Sequence, residues 1–402
     1  MGLVNKLPLE GVIVLDCTQV MAGPFCTLLL ADMGANIIKI EKPNGGDDNR
    51  KQGPPFIEGR SAAFLAVNRN KRSIVLDLKS NYGRDIFLRM AKMANIVVEN
   101  FRPGTMGSLG IGYPELSSIN PSIVFCSISG FGQTGPYSGR RGFDLIAQGM
   151  SGLMSITGTE GGPPIKIGVP ITDLTAGMYG AYGILSAYIH RLRTGEGQMV
   201  DTSLLEAGIA YTFWESSVYF STNNVPRPLG SAHRLSAPYQ AIRTNDGYIN
   251  IGGATQPTWE NLCRTIGREE LISDPRFTSN GDRKQREGEL AAILEETFSQ
   301  QSTSHWLSVL EGSGVPAGPI YDMEQVYSDP HVLARHMMVE IDDPELGVLK
   351  NIGIPVKLSR TPAYIRHRAP ELGEHTDQIM SEFGFSKEEI KHARESGTFG
   401  TV

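Results

Sequence analysis

Short apolar runs rich in β-branched residues punctuate the first third of the chain, at Val12–Asp16, Asn36–Glu41, Ser73–Asp77, Ile96–Glu99 and Ile123–Ser127. Runs of this length bounded by polar or turn residues predict strands. Between several of them the apolar positions recur at helical spacing, as in Phe25–Met33 and Tyr82–Met93. Alternation of the two periods predicts an α/β fold, a doubly wound parallel sheet with helices on both faces. Sheets of this kind take ligands outside the carboxyl ends of their strands. The loops that follow these runs are therefore where chemistry is expected.

A long helical pattern runs from Leu174 to Arg193, with Gly177, Gly180, Gly183 and Ala187 at helical spacing. Such a stripe of small residues lets another backbone approach closely. Arg191 and Arg193 suit the negative end of the helix dipole, and Gly195 and Gly197 stop the helix. From Asn223 to Ser236 the composition turns to Asn, Pro, Gly, Ser and His, which marks a connection into a second, smaller α/β unit. A short strand (Tyr248–Ile251) and helices near Trp259–Ile266, Glu287–Thr297 and Ser304–Gly312 follow, up to a second joint at Gly314–Ile320.

The chain has 402 residues, too many for one ordinary core, so two domains are expected. A formal charge of -6 argues against general attraction to nucleic acid but not against a local phosphate site. The scattered Cys17, Cys26, Cys126 and Cys263 form no CxxC pattern and read as buried hydrophobes of a reducing compartment. The N-terminus MGLVNKLPLEG has no signal-peptide core, Lys6 spoils a myristoylation signal, and no apolar stretch spans a bilayer. A cytoplasmic protein without membrane contact is the expectation.

Several familiar chemistries fail on their own requirements. Gly130–Gly135 matches GxGxxG after an apolar run, but Pro136–Gly139 continues the loop where a dinucleotide site needs a helix. No GxSxG elbow is present, and the eight histidines include no HExxH spacing, which leaves serine hydrolase and zinc chemistry unsupported. Cations, however, recur at successive strand ends: Lys39 and Lys42, Arg69, Lys71 and Arg72, Arg102, then Arg140 and Arg141. Paired cationic donors in such places suit a phosphorylated ligand. Among carboxylates, Asp173 stands where the long helix begins. Its local context alone favours a plain N-cap, worth about 1 kcal/mol.

The stretches LDCTQVMAGP (15–24), GANIIKIEKP (34–43), NRNKRSIVLDL (68–78), VENFRPG (98–104), ISGFGQTGPY (128–137), DLTAG (173–177), GQMVDTSLLEA (197–207), GVPAGPI (314–320) and LGEHT (372–376) resemble, in order, the class III CoA-transferases (CaiB/BaiF, formyl-CoA transferase-like). The resemblance implies a Rossmann-like large domain and an interlocked homodimer. It implies boundaries at 1–200 for the first part of the CoA-binding domain, 201–225 for a linker helix, 226–325 for the small domain and 326–402 for a linker and return. It also implies that Asp173 is the covalent nucleophile, attacking an acyl-CoA and carrying CoA as an aspartyl thioester. Met21 and Ala22 would lie along the CoA tail, with Lys42, Leu76, Lys79, Asn100, Phe101, Arg102 and Arg141 gripping nucleotide and pantetheine. Coenzyme A thioester is then a substrate, with no tightly bound cofactor and no metal. Ser108 stands where many members carry Arg.

A carboxylate, with an ordinary pKa of about 3.9, is ionised at neutral pH and needs no base. The related α-methylacyl-CoA racemases add a His and a Glu that exchange an α-proton. Here Phe143 and Gln256 occupy those places, and neither can do so; Phe143 is expected near the acyl group. A non-catalytic CoA-binding protein is the remaining alternative. The glycine-run loop of formyl-CoA transferases is replaced by Gly230–Tyr239, which disfavours oxalate. His233 or Arg234 is expected to receive the distal carboxylate of a dicarboxylic acceptor, with succinyl-CoA as donor.

Overall fold

A computed structural model describes residues 6–400 of the protein. Residues 1–5, part of the stretch read for a targeting signal, lie outside the described residues, as do 401 and 402. The chain forms two compact units. One holds the residues up to 153, 166–212 and those from 331 onward; the other holds 154–165 and 213–330.

The larger unit is built on six strands, β1 (Ile13–Asp16), β2 (Asn36–Glu41), β3 (Lys71–Val75), β4 (Ile96–Glu99), β5 (Val124–Ser129) and β6 (Met199–Ser203). Their order is β3-β2-β1-β4-β5-β6 and every pair is parallel, the doubly wound Rossmann-like arrangement that the alternation predicts. The strand order reverses between β1 and β4, which opens a crevice at their carboxyl ends.

Five helices of this unit matter for the site: α1 (Ala22–Asp32), α2 (Asn81–Met93), α3 (Asp144–Met150), α4 (Ile171–Thr194) and α5 (Leu204–Ile209). Alternate strand residues face opposite sides. Leu15, Ile38, Ile74, Val97 and Phe125 meet Phe87 and Met90 of α2, together with Ile379 and Met380 of the C-terminal helix Thr376–Glu382. Val14, Ile37, Val98 and Cys126 meet Leu30 of α1 and Ile184 of α4. The four cysteines are all buried and free.

The small-residue stripe on α4 makes a tight seam. A Cβ on Gly177 would lie 2.6 Å from the Ala22 carbonyl oxygen, and one on Gly180 would lie 3.1 Å from the Cys26 sulfur. Glycine at these positions lets α1 and α4 touch backbone to backbone, which brings the start of each helix to the same end of the sheet.

Two differences from the sequence pattern have a physical cause. β3 begins at Lys71, two residues earlier than the apolar run suggests. Lys71 is fully buried, its ammonium 3.1 Å from Asp16 and hydrogen-bonded to the Thr27 hydroxyl (2.8 Å) and the Asn68 amide oxygen (3.0 Å). A lysine reads as a boundary until its partners are known. β6 escapes the pattern because it lies at the sheet edge, where exposed and half-buried positions alternate among polar residues.

The smaller unit has a three-stranded antiparallel sheet, Tyr239–Arg243, Tyr248–Gly252 and Ala317–Pro319. Helices Gln256–Thr265, Glu287–Phe298 and Thr303–Leu310 complete its core around Ile249, Ile251, Trp259, Leu294 and Phe298. The first of these strands is absent from the sequence reading, being half polar.

Candidate active site

The crevice between β1 and β4 is a cavity of about 420 Å³. Its walls are Gln19–Ala22 after β1, Asn100–Pro103 after β4, Ser129 at the end of β5 and Gly130 after it, Arg140–Phe143 in the following loop, and Asp173 and Leu204. Met21, Ala22, Asn100, Phe101, Arg102, Arg141, Phe143 and Asp173 are thus brought together around one space. Arg102, Arg140 and Arg141 are exposed around it, and the Arg140 guanidinium stacks 3.9 Å from the Tyr137 ring centre. Three cations with solvated heads suit an anionic ligand.

The other sequence candidates fall elsewhere. Lys42 is exposed and ion-paired at 2.5 Å with Asp48, and Asp48 itself lines the cavity. Leu76 is buried in the core with its amide donated to the Glu41 carbonyl, and neither Leu76 nor the exposed Lys79 lines the cavity. His233 and Arg234 belong to the smaller unit. There Arg234 donates to Glu215 (3.0 Å) and to the Arg227 carbonyl (2.8 Å), while His233 Nδ1 accepts the Leu235 amide and its ring packs against Trp214 and Tyr239. Gln256, in the same unit, accepts from the buried Arg283 at 3.1 Å.

Asp173 is not the cap that its local context suggests. The helix begins at Ile171, so Asp173 lies within the first turn, and the N-cap position is Pro170, which offers no side-chain bond. Capping comes instead from α3. Asp144 Oδ1 accepts the Thr172 amide (3.0 Å) and hydroxyl (2.8 Å), and its Oδ2 accepts from the Gln148 side chain (2.7 Å). Gln148 is fully buried, and its Oε1 accepts the Ile167 amide at 2.9 Å, which fixes the approach to the helix.

No hydrogen bond to the Asp173 carboxylate is found among the described residues. Burial, and then the neighbouring charge of Asp144, push its pKa up from the ordinary carboxylate value to about 7. A desolvated and unpaired carboxylate opening into a cavity is a more basic and less solvated oxygen nucleophile than one in water. The sequence pattern missed Asp144 and Gln148, whose role depends on contacts across helices. It also missed Gln19, Val20 and Leu204; Arg140 was visible only as one of the clustered cations.

A doubly wound sheet with an arginine-lined cavity at its switch point and a desolvated carboxylate in that cavity fits one class, an enzyme acting on an anionic substrate. Comparison with known proteins agrees. Residues 9–376 match the family model of CoA-transferase family III. The chain is 40% identical to human succinyl-CoA:glutarate CoA-transferase over 378 residues, 94% of this chain and 86% of that one. It is also 40% identical to acetyl-CoA:oxalate CoA-transferase of Acetobacter aceti, covering 94% and 96%. A crystal structure of a CaiB/BaiF family protein from Brucella suis superposes with a TM-score of 0.83 at 38% identity, covering 94% of this chain and 100% of that one. The chain belongs to CoA-transferase family III and is a CoA-transferase. No helix among the described residues is long and apolar enough to cross a membrane.

Proposed function

We propose that the protein transfers CoA from succinyl-CoA to a second dicarboxylic acid through a thioester on Asp173. The observation that carries this reading is the unpaired Asp173 carboxylate in the arginine-lined cavity. An Asp173 oxygen attacks the donor thioester and expels CoA thiolate, leaving a mixed anhydride. The thiolate then attacks the Asp173 carbonyl carbon, which releases succinate and forms the aspartyl-CoA thioester. The acceptor carboxylate repeats the two steps in reverse and leaves with CoA. Once Asp173 is ionised no proton changes hands in these steps, so no general base takes part in them.

Arg102 and Arg141 are the proposed phosphate contacts, with Lys42 and Lys79 contributing along the nucleotide and Asn100 and Phe101 along pantetheine; the buried Leu76 supports the wall from the core rather than touching the ligand. Met21 and Ala22 line the CoA tail, and Phe143 packs near the acyl group. Phe143 is 73% exposed in the cavity wall and offers no group for α-proton exchange, which favours transfer over a racemase-like reaction. Relatives acting on glutarate and on oxalate, both dicarboxylic acids, support the acceptor class.

His233 and Arg234 are the proposed acceptor contacts. Because Arg234 already pairs with Glu215, an acceptor has to share or displace that carboxylate. The protein acts as a cytoplasmic homodimer without a tightly bound cofactor. The exposed Tyr182 (71%) and Leu192 (68%) on α4 support an apolar face for the second copy, and light scattering of the purified protein tests it.

The decisive experiment is mass spectrometry after addition of succinyl-CoA, alongside initial rates with varied donor and acceptor. A CoA adduct on the peptide containing Asp173 and ping-pong kinetics are expected. Full turnover by Asp173→Asn, without an adduct, would exclude the mechanism.

A further inference from the structure

Val20 has φ of 69°, a left-handed conformation that a β-branched residue adopts only under restraint and at a cost of about 1–3 kcal/mol. The restraint is visible bond by bond. The Gln19 amide donates to Asn100 Oδ1, and Asn100 Nδ2 donates back to the Gln19 carbonyl, both at 2.8 Å. The Val20 amide donates to Asp47 Oδ1 and the Val20 carbonyl accepts from Asn49 Nδ2, both at 3.0 Å. Every main-chain polar group of these two residues is held by a side chain.

Asp47 is itself held from β2. Lys39 and Glu41 lie two residues apart and so face the same side of that strand. The Lys39 ammonium lies 2.8 Å from Asp47 Oδ2 and donates to the Thr18 carbonyl at 2.9 Å, while Glu41 Oε2 accepts the Asp47 amide at 2.9 Å. Both side chains of the Lys39–Asp47 pair are wholly buried. A buried pair contributes little net stability compared with apolar packing. Here it holds a strained turn that lines the same cavity as Asp173.

We infer that the buried Lys39–Asp47 pair is a positioning device for the reaction: it clamps the Gln19–Ala22 wall, in its strained form, against the thioester of the substrate. This rests on the reading of Asp173 as nucleophile. Lys39 and Asp47 are positioning residues, since neither lines the cavity.

The test compares wild type with Val20→Gly, which removes both strain and stiffness, and with the double variant Lys39→Met/Asp47→Asn, which leaves no unpaired charge within the pair. Measured on the intact protein are melting temperature, amide exchange at residues 19–22, affinity for CoA and the rate of adduct formation from succinyl-CoA. For Val20→Gly, a melting temperature close to wild type is expected, with exchange at the turn at least tenfold faster. Adduct formation should slow by roughly 10- to 100-fold, the cost of misplacing a reacting group by about 1 Å. The double variant should show the same exchange and rate changes.

Adduct rate and CoA affinity within twofold of wild type in Val20→Gly would overturn the inference, even if the turn is looser. So would unchanged exchange in a folded double variant. If wild type forms no adduct at all, the reading of Asp173 fails instead; exchange and CoA affinity then still decide whether the pair holds the wall.

Discussion

Asp144 accepts both the amide and the hydroxyl of Thr172, so a residue of α3 caps the helix that carries Asp173. The same contact places a carboxylate beside the proposed nucleophile. Burial and that charge together hold Asp173 near 7, where ionisation becomes the gate to reaction. Arg102, Arg140, Arg141 and Asp48 line the same cavity.

The pH profile should report this arrangement. We expect kcat/KM to rise with pH through a midpoint near 7 in wild type. In Asp144→Asn the midpoint should move to lower pH, because a negative neighbour is lost while the amide oxygen still caps Thr172. An unmoved midpoint would exclude Asp144 as the source of the shift.

Stability should respond to the same group with opposite sign. The folded pKa of Asp173 lies above its unfolded value, so the folded state binds more protons between pH 4 and 7. Stability is therefore lost as pH rises across that window. Asp173→Asn should be more stable than wild type at pH 8, by about 1–3 kcal/mol after allowance for partial solvation, and nearly equal to it at pH 4. Urea titrations at the two pH values measure the difference.

Gly177 lies one helical turn beyond Asp173 and meets the Ala22 carbonyl. Gly177→Ala gains helix propensity of about 1 kcal/mol, but overpacking against backbone costs roughly 1–3 kcal/mol. Net destabilisation and slower adduct formation are expected, because the shift falls on both walls of the cavity. A melting temperature above wild type would show that the seam is looser than the backbone distance implies.

The buried charges under the sheet should govern acid unfolding. Burial alone raises Asp16, but Lys71, Lys39 and the hydroxyls of Thr18 and Thr27 outweigh it and bring its pKa to about 2. Its contribution is full above the unfolded value near 3.8 and is lost as pH falls towards 2. Asp16→Asn leaves Lys71 without its carboxylate and should cost about 3–5 kcal/mol at pH 7. The difference from wild type should shrink below pH 3, as circular dichroism during acid titration can follow.

How much of this was legible before folding depends on the range of the interactions. The apolar runs determined five of the six strands of the sheet, and the glycines of α4 left room for another backbone to approach. Both are local patterns, fixed by periodicity and side-chain size. Cations near the apolar runs suggested an anion site, and ordered motifs pointed to Asp173. Of these cations only Arg102, Arg140 and Arg141 line the cavity, while Lys39, Arg69, Lys71 and Arg72 pair with carboxylates elsewhere. Tertiary structure decided the rest. Lys71 became part of a strand only because Asp16, Thr27 and Asn68 surround it. Asp144, 29 residues before Asp173 in the chain, became the cap that frees Asp173 from capping. Val20 became strained only because Asn100 holds the neighbouring Gln19 while Asp47 and Asn49, from one other segment, hold Val20 itself. A sequence carries each residue's chemistry, but burial and the partners that answer it depend on contacts that exist only once distant segments meet.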